Sequence, residues 1–552
     1  MFKRLKQILS AFSPAERRAF FVSAIAAAVA LVLLVGFTIQ KQTEVVPAKG
    51  GSYAEGFLGQ PTHINPVIAG TNTDRGLVRL LFANLPSLAE KIETSENDRT
   101  VRVRLKENLA WSDGRELTSD DVIFTVEKIQ ETETGSPLFS SWQGIVASRG
   151  SKLEVIFRLS GPYQFFKETL DALRVVPKHV FVNIPGANWR LSEYNLRPVG
   201  SGPYAFLSYE KRPDGFITAF HLAKNNRYAG EQPLLSAFDA FFYGEEKDLI
   251  GAFDAGQIDG FVSPSAASLD MIARPHEIVA FTSPASYAVF WNQSQNLPLQ
   301  YAEVRKALDL AIDREMIVKN FLRGEGKPSF GPITPGFPGI QIPTVSMNGN
   351  IEEARRLLQD DGWKIPDGSS IREKTIKKTR LPLSFSLLVP DVPLLKEIAD
   401  SLRASWIALG ANVNIVIAST EEIMNSAIKN RDYQGILFGN SVLRLNDLFA
   451  FWHSSERFYP GLNISLYNNK KADQVIESMR NTASIDEQTK RALELYELVR
   501  SENPAIFLFS PDYLYVTGKG VRGISPSFLE NISDRFLSVS RWHLETTRTA
   551  KD

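Results

Sequence analysis

The chain has 552 residues, more than the roughly 250–300 at which a single hydrophobic core stops growing, so it is expected to form two or three lobes. Its 62 Lys and Arg residues balance 62 Asp and Glu residues, which excludes the strongly basic field typical of nucleic-acid-binding proteins. The absence of cysteine excludes disulfides, thiolate metal sites, a cysteine nucleophile and the acylated cysteine of a lipoprotein.

An uncharged run near the N-terminus, Ala19 to Ile39, is 21 residues long and therefore matches the roughly 20 residues that cross a bilayer. The apolar region of a signal peptide is usually shorter, about 7–15 residues, and Phe37 to Gln40 is a poor cleavage site. Five basic residues precede the run and favour a cytoplasmic position for the tail; they are Lys3, Arg4, Lys6, Arg17 and Arg18. The sequence thus predicts a cytoplasmic tail (1–18) and a transmembrane helix (19–39), with a cleaved signal peptide as the alternative.

A polar segment, 40–52, follows the apolar run. It contains Pro47, Gly50 and Gly51, which interrupt regular structure, so it is predicted to be a linker. No repeat with a period of 20–50 residues is apparent in the rest of the chain, which argues against solenoids and propellers.

The periodicity of apolar residues predicts a mixture of strands and helices. Apolar and polar residues alternate along 101–106 and 153–159, a pattern typical of strands with one wet face. Glu303 to Phe321 has one apolar helical face and is followed by a stop at Gly324. Further on, strand, helix, strand, helix and strand patterns succeed one another between Leu381 and Gly439, which predicts a largely parallel α/β sheet.

A helix start is predicted at Thr118. Thr118 and Asp121 have the spacing of a capping box, and Asp120 adds a favourable charge in the first turn. This segment follows the turn Trp111-Ser112-Asp113-Gly114. On this interpretation the segment positions a helix and takes no part in chemistry.

The same segment resembles the family 5 extracellular solute-binding proteins, the peptide and nickel receptors of ABC importers, in its Trp-x-Asp-Gly turn and its threonine-capped acidic helix start. Further short strings resemble the family and occur in the same order along the chain. Most of their Gly and Pro residues are expected to serve backbone geometry. These strings are Gly59 to Val67, Arg197 to Phe206, Lys224 to Tyr228, Phe253 to Gly260, Glu303 to Val318, Ala354 to Trp363 and Phe451 to Asn469.

The resemblance implies an α/β fold, a bilobed periplasmic-binding-protein-like clamp of type II with an extra subdomain. Carried onto this chain, lobe I comprises 53–87, 198–285 and 501–552, the extra subdomain comprises 88–197, and lobe II comprises 286–500. The hinge crossings are expected near Tyr287 to Asn292 and Glu502 to Phe509. Ligand contacts to both lobes would favour the closed form that the permease recognises.

The resemblance also implies how a solute is held. Peptide-binding relatives hold the ligand as an added strand, and several pair its α-amino group with an aspartate just after the strand equivalent to Tyr433 to Gly439. Here Asn440 and Ser441 follow that strand, and no carboxylate occurs until Asp447, which argues against such an anchor. Candidate ligand-binding residues are therefore two aromatic and two polar residues; they are Trp291, Trp452, Asn440 and Ser441. The alternative for the two tryptophans is a place in the core.

The function predicted from the resemblance is a membrane-anchored extracytoplasmic receptor that binds an oligopeptide-like solute and presents it to ABC permease and ATPase subunits. No catalysis, metal, cofactor or nucleic-acid partner is predicted. The same clamp holding a nickel chelate, an oligosaccharide or a signalling peptide is an alternative, and so is a scaffold or chaperone. His453 is the candidate neighbour of a chelate, with ordinary packing as the competing interpretation. An extracellular hydrolase is the alternative from another class, although G-x-S-x-G and H-E-x-x-H motifs are absent.

Overall fold

A computed structural model describes residues 12–95, 99–160, 166–343, 349–482, 484–525 and 527–550, with side chains described throughout these ranges except at 17, 32, 33, 35–45 and 548–550. The strands are β1 Thr43–Pro47, β2 Ser52–Leu58, β3 Ala89–Thr94, β4 Thr100–Leu105, β5 Val146–Ser151, β6 Glu154–Arg158, β7 Tyr204–Lys211, β8 Ile217–Lys224, β9 Ala237–Tyr243, β10 Gly260–Ser263, β11 His276–Thr282, β12 Ala285–Trp291, β13 Gly326–Pro328, β14 Glu373–Ile376, β15 Thr379–Pro382, β16 Ser384–Pro390, β17 Asn412–Ala418, β18 Gly435–Ser441, β19 Ala505–Gly518 and β20 Thr546–Ala550.

The α-helices are Pro14–Gln42, Asn72–Leu81, Leu85–Leu88, Ser119–Gln130, Phe139–Trp142, Phe166–Ala172, Lys178–Phe181, Glu246–Asp254, Ala302–Leu310, Arg314–Phe321, Ile351–Asp360, Pro393–Ala408, Thr420–Glu422, Asp447–Trp452, Lys470–Arg480 and Ile485–Glu502. A π-helical turn, Ile423–Ile428, and several 3₁₀ helices join them, of which Ile532–Arg541 is the longest described.

The N-terminal helix Pro14–Gln42 covers the predicted run Ala19 to Ile39. Within the described side chains, no helix combines the length and apolarity needed to cross a membrane. Residues 32, 33 and 35–39 of the predicted run and most of the predicted tail lie outside those side chains. The predicted linker 40–52 is not free of regular structure, because it contains the helix end and β1, and β1 pairs antiparallel with β20. Local composition could not reveal this strand, since its partner lies at the other end of the chain.

Lobe I is built on a sheet in which β10, β2 and β9 run parallel and β9, β8 and β7 run antiparallel. Both faces of this sheet are covered by apolar side chains, because one core packs against it from the side of helix Asn72–Leu81 and a smaller one from the side of helix Glu246–Asp254. Strands buried on both faces are typical of parallel pairing. The carboxyl ends of β2 and β10 lie together beside the start of helix Asn72–Leu81.

The extra subdomain carries a four-stranded antiparallel sheet in the order β3, β4, β6, β5. The alternation predicted for β4 is confirmed, because Val101, Val103 and Leu105 are buried while the two arginines between them are exposed. Its apolar face belongs to the same core as lobe I, so the subdomain extends that lobe.

The capping box predicted at Thr118 is confirmed. The Thr118 hydroxyl accepts a hydrogen bond from the backbone of Asp120, and the Asp121 carboxylate accepts one from the Thr118 amide at 2.9 Å. Asp121 also accepts the amide of Lys178, and burial raises the pKa of this carboxyl group. The segment therefore fixes a helix within the subdomain, as its structural interpretation requires.

Two glycines after the subdomain allow a close backbone contact. The amide of Gly202 donates to the carbonyl of Leu81 at 2.8 Å, and a Cβ atom on Gly200 would overlap that same carbonyl oxygen. Because only glycine lacks this atom, the chain can return against helix Asn72–Leu81 at this point.

Lobe II contains the predicted α/β unit. β16 pairs parallel with both β17 and β18, and helix Pro393–Ala408 connects the first two of these strands. Two hydrophobic cores cover the two faces of this sheet. The predicted single helix over Glu303 to Phe321 is instead two helices, because the Asp313 side chain accepts the amide of Met316 and so begins a second helix at Arg314.

The two lobes share one continuous sheet through β19. Its first part, Ala505 to Phe509, pairs with β12 of lobe II, and its later part pairs with β11 and β10 of lobe I. The chain crosses between the lobes a second time at Ser283-Pro284, between β11 and β12. The predicted hinge segments, Tyr287 to Asn292 and Glu502 to Phe509, contain the residues through which β12 and β19 pair, and the chain passes between the two parts of the sheet at 283–284 and 510–511. Register between distant strands decides this position, and the sequence does not show it.

Candidate functional site

An interlobe cavity of about 600 Å³ lies where the two lobes meet. Ligand pockets in proteins commonly measure about 300–1,000 Å³, so this cavity has room for a solute of several functional groups. Lobe I and the subdomain contribute Arg79, Asn84, Pro86, Glu168, Asp171, Ala172 and Arg174; the C-terminal segment contributes Phe528, Leu529, Glu530, Asp534 and Leu537; lobe II contributes Pro338 and Arg444.

Charges of both signs line the interlobe cavity and pair across it. Arg79 contacts Asp534 at 2.6 Å, and Arg444 of lobe II lies 3.8 Å from Glu530 on the C-terminal segment. Burial raises the pKa of Glu530, while the positive charge of Arg444 opposes the rise. Burial lowers the pKa of Arg174, a change that the neighbouring charge of Arg79 reinforces. The cavity thus holds charged groups that are only partly compensated.

Several of these charged groups have buried atoms without a hydrogen-bond partner in the described protein. They are Oε2 of Glu168, Nε of Arg174 and Nε of Arg444. A buried polar atom without a partner is costly, and core atoms such as Nε1 of Trp291 and Trp452 share this property. The feature particular to the cavity is therefore that charged groups of both signs line it. The cavity therefore offers both a carboxylate acceptor and guanidinium donors.

Asp447 has a structural partner. Its carboxylate accepts the amides of Leu443 and Arg444 at 2.8 and 2.9 Å, and it thereby shapes the loop after β18 that carries Arg444. The first carboxylate after this strand is therefore engaged in capping a turn.

β18 ends three residues before Arg444, which lines the interlobe cavity, and part of one edge of this strand is uncovered. β12 pairs with it along its whole length, whereas β16 pairs with it only at Gly435 and Ile436, as far as the described chain shows. The edge that faces away from β12 beyond Ile436 is therefore available to a further strand. Asn440 and Ser441 lie at the end of this edge, and the structure brings these two predicted residues together.

A second cavity, of about 290 Å³, opens next to that edge. We call it the lobe II pocket. Its lining is predominantly apolar and consists of Phe290, Met424, Ile428, Phe438, Gly439, Asn440, Ser441, Phe451, Leu462 and Ile464.

The two predicted tryptophans lie in the cores of lobe II. Trp291 is fully buried and contacts Phe385 and Trp406, and Trp452 is almost fully buried against Tyr467 and Phe507. Neither lines the interlobe cavity or the lobe II pocket. Their alternative interpretation as core residues fits these positions, because packing on opposite faces of the sheet leaves no ring face for a ligand.

His453 also has partners within lobe II. Its Nδ1 lies 2.8 Å from the Ser455 hydroxyl, its Nε2 lies 3.4 Å from Glu477, and its ring stacks on Phe449 at 4.3 Å. These contacts hold the ring against neighbouring helices.

A buried ion pair lies in lobe I. Arg535 contacts Glu55 at 2.6 Å, and the hydroxyl of Tyr515 donates to the other oxygen of this carboxylate at 2.5 Å. Burial raises the pKa of Glu55, and Arg535 opposes this change. The arginine borders a third cavity, of about 220 Å³, at the carboxyl ends of β2 and β10.

Comparison with known families agrees with this architecture. The family model described as "Bacterial extracellular solute-binding proteins, family 5 Middle" matches residues 85–456. The chain belongs to this family. Its bilobed α/β fold is that of the periplasmic binding proteins.

Individual relatives are distant but match most of the chain. The oligopeptide-binding protein AppA of Bacillus subtilis is 26% identical over 496 residues, 86% of this chain and 88% of AppA. The nickel-binding periplasmic protein of Escherichia coli is 23% identical over 439 residues, 77% of this chain and 80% of that protein. The solved structure of Bacillus subtilis AppA in complex with a nonapeptide matches with a TM-score of 0.64 at 24% identity, covering 91% of this chain and 100% of that one.

The charged residues of the interlobe cavity were not predicted from the sequence. Arg79 and Asp534 are 455 residues apart, and Arg174 and Arg444 come from two further segments. Each of them is an ordinary charged residue in its local context. The feature that could have drawn attention to Arg444 is its place three residues after Ser441, directly beyond the strand whose end is predicted to contact the solute.

Proposed function

We propose that this solute-binding protein captures an oligopeptide-like solute between its lobes and passes it, chemically unchanged, to an ABC importer. The observation that carries the proposal is the combination of an uncovered strand edge at the end of β18 with an interlobe cavity that holds charges of both signs. A peptide has a main chain that pairs with a strand edge and ends or side chains that carry both charges. The name of the relative AppA supports the same class of solute.

In this proposal the peptide main chain extends the sheet beside Phe438 to Ser441. Asn440 and Ser441 act as polar contacts at the end of the strand. The peptide α-carboxylate pairs with a guanidinium of the interlobe cavity, such as Arg444 or Arg174, because charge-assisted hydrogen bonds between guanidinium and carboxylate are strong. The α-amino group pairs with Glu168 or Glu530, in place of an aspartate directly after β18.

Such contacts also couple solute binding to closure of the two lobes. Arg444 belongs to lobe II and Glu530 to the segment that returns along lobe I, so a ligand between them contacts both lobes. A solute that binds both lobes favours the closed arrangement, and an importer can recognise that arrangement. We place the hinge at the two crossings, 283–284 and 510–511.

The proposal extends to location and partners. The run Ala19 to Ile39 anchors the protein in the cell membrane with its N-terminus in the cytoplasm, and the lobes lie outside. ABC permease and ATPase subunits are the partners, and no catalysis or cofactor is involved.

The experiment is to purify the full-length chain in detergent, denature it, and identify released small molecules by mass spectrometry. Peptides are the expected release. Titration of the emptied and refolded protein with those peptides then gives an affinity, and Asn440→Ala is expected to weaken it about 5- to 20-fold through loss of one hydrogen-bonding side chain. Release of a metal chelate or sugar, or cleavage of added peptide, would refute the proposal.

A further inference from the structure

Both crossings between the lobes consist of the same dipeptide, Ser-Pro. They are Ser283-Pro284 and Ser510-Pro511. Pairing of β19 with β11 ends at Asp512, and its pairing with β12 resumes at Phe509. On its other edge β19 pairs with β13 through Pro511, so the gap lies between the two crossings. Because proline has no N–H, each crossing lacks one main-chain donor at this gap.

Two serine side chains bridge the gap. The Ser283 hydroxyl donates to the carbonyl of Pro511 at 2.5 Å, and the Ser510 hydroxyl donates to the carbonyl of Ala285 at 2.7 Å. We call these two bonds the hinge rungs. Each rung joins one crossing to the other, and both serines are almost fully buried, so bulk water does not readily replace these bonds.

A serine rung differs from a main-chain rung in its freedom. The direction of an amide N–H is fixed by the plane of its peptide bond, so bending a strand distorts the ladder bonds that the strand makes. A hydroxyl group turns about its own bond to carbon and can keep its acceptor while the backbone angle changes. The hinge rungs can therefore hold the two crossings side by side during a bend.

The first crossing is also bonded to the segment that carries the proposed solute contacts. The carbonyl of Pro284 accepts the amide of Val442 at 3.1 Å and the hydroxyl of Thr334 at 3.0 Å. Val442 directly follows Ser441, the last residue of β18, and Ser441 pairs in register with Ala285. A displacement at the end of β18 is thus passed to the crossing by one hydrogen bond and one strand pair.

We propose that Ser283 and Ser510 are positioning residues that make the two crossings bend as one unit, and that the bond from Val442 transmits solute binding at the end of β18 to this unit. The part that concerns the solute rests on the proposed function, whereas the motion of the lobes is measurable without a solute. Without the rungs the crossings bend independently and the lobes sample more arrangements. Closure around a solute then removes more conformational freedom and is less favourable.

The test measures the distance between the lobes by pulsed electron paramagnetic resonance. The chain has no cysteine, so Leu207→Cys in lobe I and Ile485→Cys in lobe II, both at well exposed positions, accept spin labels selectively. The full-length protein is used in detergent, after denaturation and refolding have removed bound solute. Addition of Ser283→Ala and Ser510→Ala is expected to make the distance distribution at least about 1.5-fold wider.

The same proteins are then incubated with an unbiased nonapeptide library, and retained peptides are quantified by mass spectrometry. The two Ser→Ala changes together are expected to weaken retention about 3- to 10-fold, although neither serine lines the interlobe cavity.

Two variants serve as controls. Ser119→Ala removes a buried hydroxyl that donates to the carbonyl of Ser151 at 2.7 Å within the extra subdomain, so it is expected to lower stability without widening the distribution. Ser510→Thr keeps a hydroxyl group at the crossing and is expected to keep the width of the wild type. Circular dichroism establishes that all variants are folded.

The outcomes separate the hinge from the solute. An unchanged distribution in the double Ser→Ala variant would overturn the inference, and so would an equal widening in Ser119→Ala, because general loosening would then explain it. A wider distribution with unchanged retention of peptides would overturn the link between hinge and solute. A wider distribution in the variant, together with no retention of any peptide by the wild type, would support the hinge rungs and overturn the proposed function.

Discussion

The buried ion pair between Glu55 and Arg535 provides a quantitative prediction about lobe I. The side chains are 0% and 3% exposed, and no solvent screens their charges. The Glu55→Gln substitution keeps the shape of the side chain and removes its charge, so the guanidinium is left buried without a counter-ion. Loss of one partner of such a pair costs about 3–5 kcal/mol.

The hydroxyl groups of Tyr515 and Tyr53 beside Glu55 indicate which part of this cost is electrostatic. Tyr515 donates to Glu55 and lies 2.6 Å from the hydroxyl of Tyr53, so glutamine can still accept a hydrogen bond there and the cost is chiefly that of the unpaired arginine. Arg535→Met leaves the carboxylate unpaired in the same way. The double substitution Glu55→Gln with Arg535→Met leaves no buried charge, and it is expected to cost less than the sum of the single changes by about 2–4 kcal/mol.

The assay is urea unfolding of the full-length chain at neutral pH, followed by circular dichroism, together with thermal unfolding. A loss of about 3–5 kcal/mol corresponds to a melting temperature lower by about 6–20 °C for a domain of 150–250 residues. The matched control is Glu277→Gln, because Glu277 pairs with Arg522 at an exposed surface and its substitution is expected to change stability by less than about 1 kcal/mol. Additive costs in the double variant would refute the reasoning.

Three further predictions concern packing, the core tryptophans and pH. Gly200→Ala is expected to lower the free energy of unfolding by about 1–3 kcal/mol, because the added Cβ atom would overlap the backbone of Leu81. Gly251→Ala is expected to raise it by about 0.5–1 kcal/mol, because Gly251 lies in a helix and the space around its Cβ position is open. Urea midpoints that move in the same direction for both variants would contradict this prediction. Trp291→Phe is expected to lower the free energy of unfolding by about 1–3 kcal/mol and to leave peptide affinity within about 2-fold of the wild type. A loss of affinity without a loss of stability would show instead that Trp291 contacts the ligand. Burial raises the pKa of Asp512, and burial together with Asp512 raises that of Glu325, so the native state binds more protons than the unfolded state from about pH 4 up to these raised values. Wild-type stability is therefore expected to fall as pH rises through that window, and Asp512→Asn to make the fall shallower; equal slopes in urea unfolding would contradict the assignment.

Interactions between neighbours in the chain made part of this protein predictable from its sequence. The capping box at Thr118 needs only residues up to Asp121, and the alternation along β4 reflects one wet and one dry face. The parallel unit of β16, β17 and β18 was predictable because strand and helix patterns of apolar residues alternate along this part of the chain. The family resemblance then supplied the number and order of the lobes.

Contacts between distant segments decided the rest. β19 continues from the sheet of one lobe into that of the other, and its pairing with β12 and β11 sets where the chain passes between the two parts of the sheet. Trp291 lies in the core because helix Pro393–Ala408 packs on its face of the sheet, and an apolar aromatic residue gives the same local pattern in a core as in a site. Asn440 and Ser441 could be named because they directly follow the predicted strand Tyr433 to Gly439, and the structure extends that strand through them.

The sequence by itself determined that this chain forms a mixed α/β protein with several lobes and a strand over Tyr433 to Gly439, directly before Asn440 and Ser441, since apolar periodicity and local capping are properties of consecutive residues. Only the tertiary structure decided which charges meet between the lobes and which apolar residues remain open beside that strand. The physical reason is that a cleft is a shared boundary of segments hundreds of residues apart, and its chemistry depends on their packing more than on any one of them.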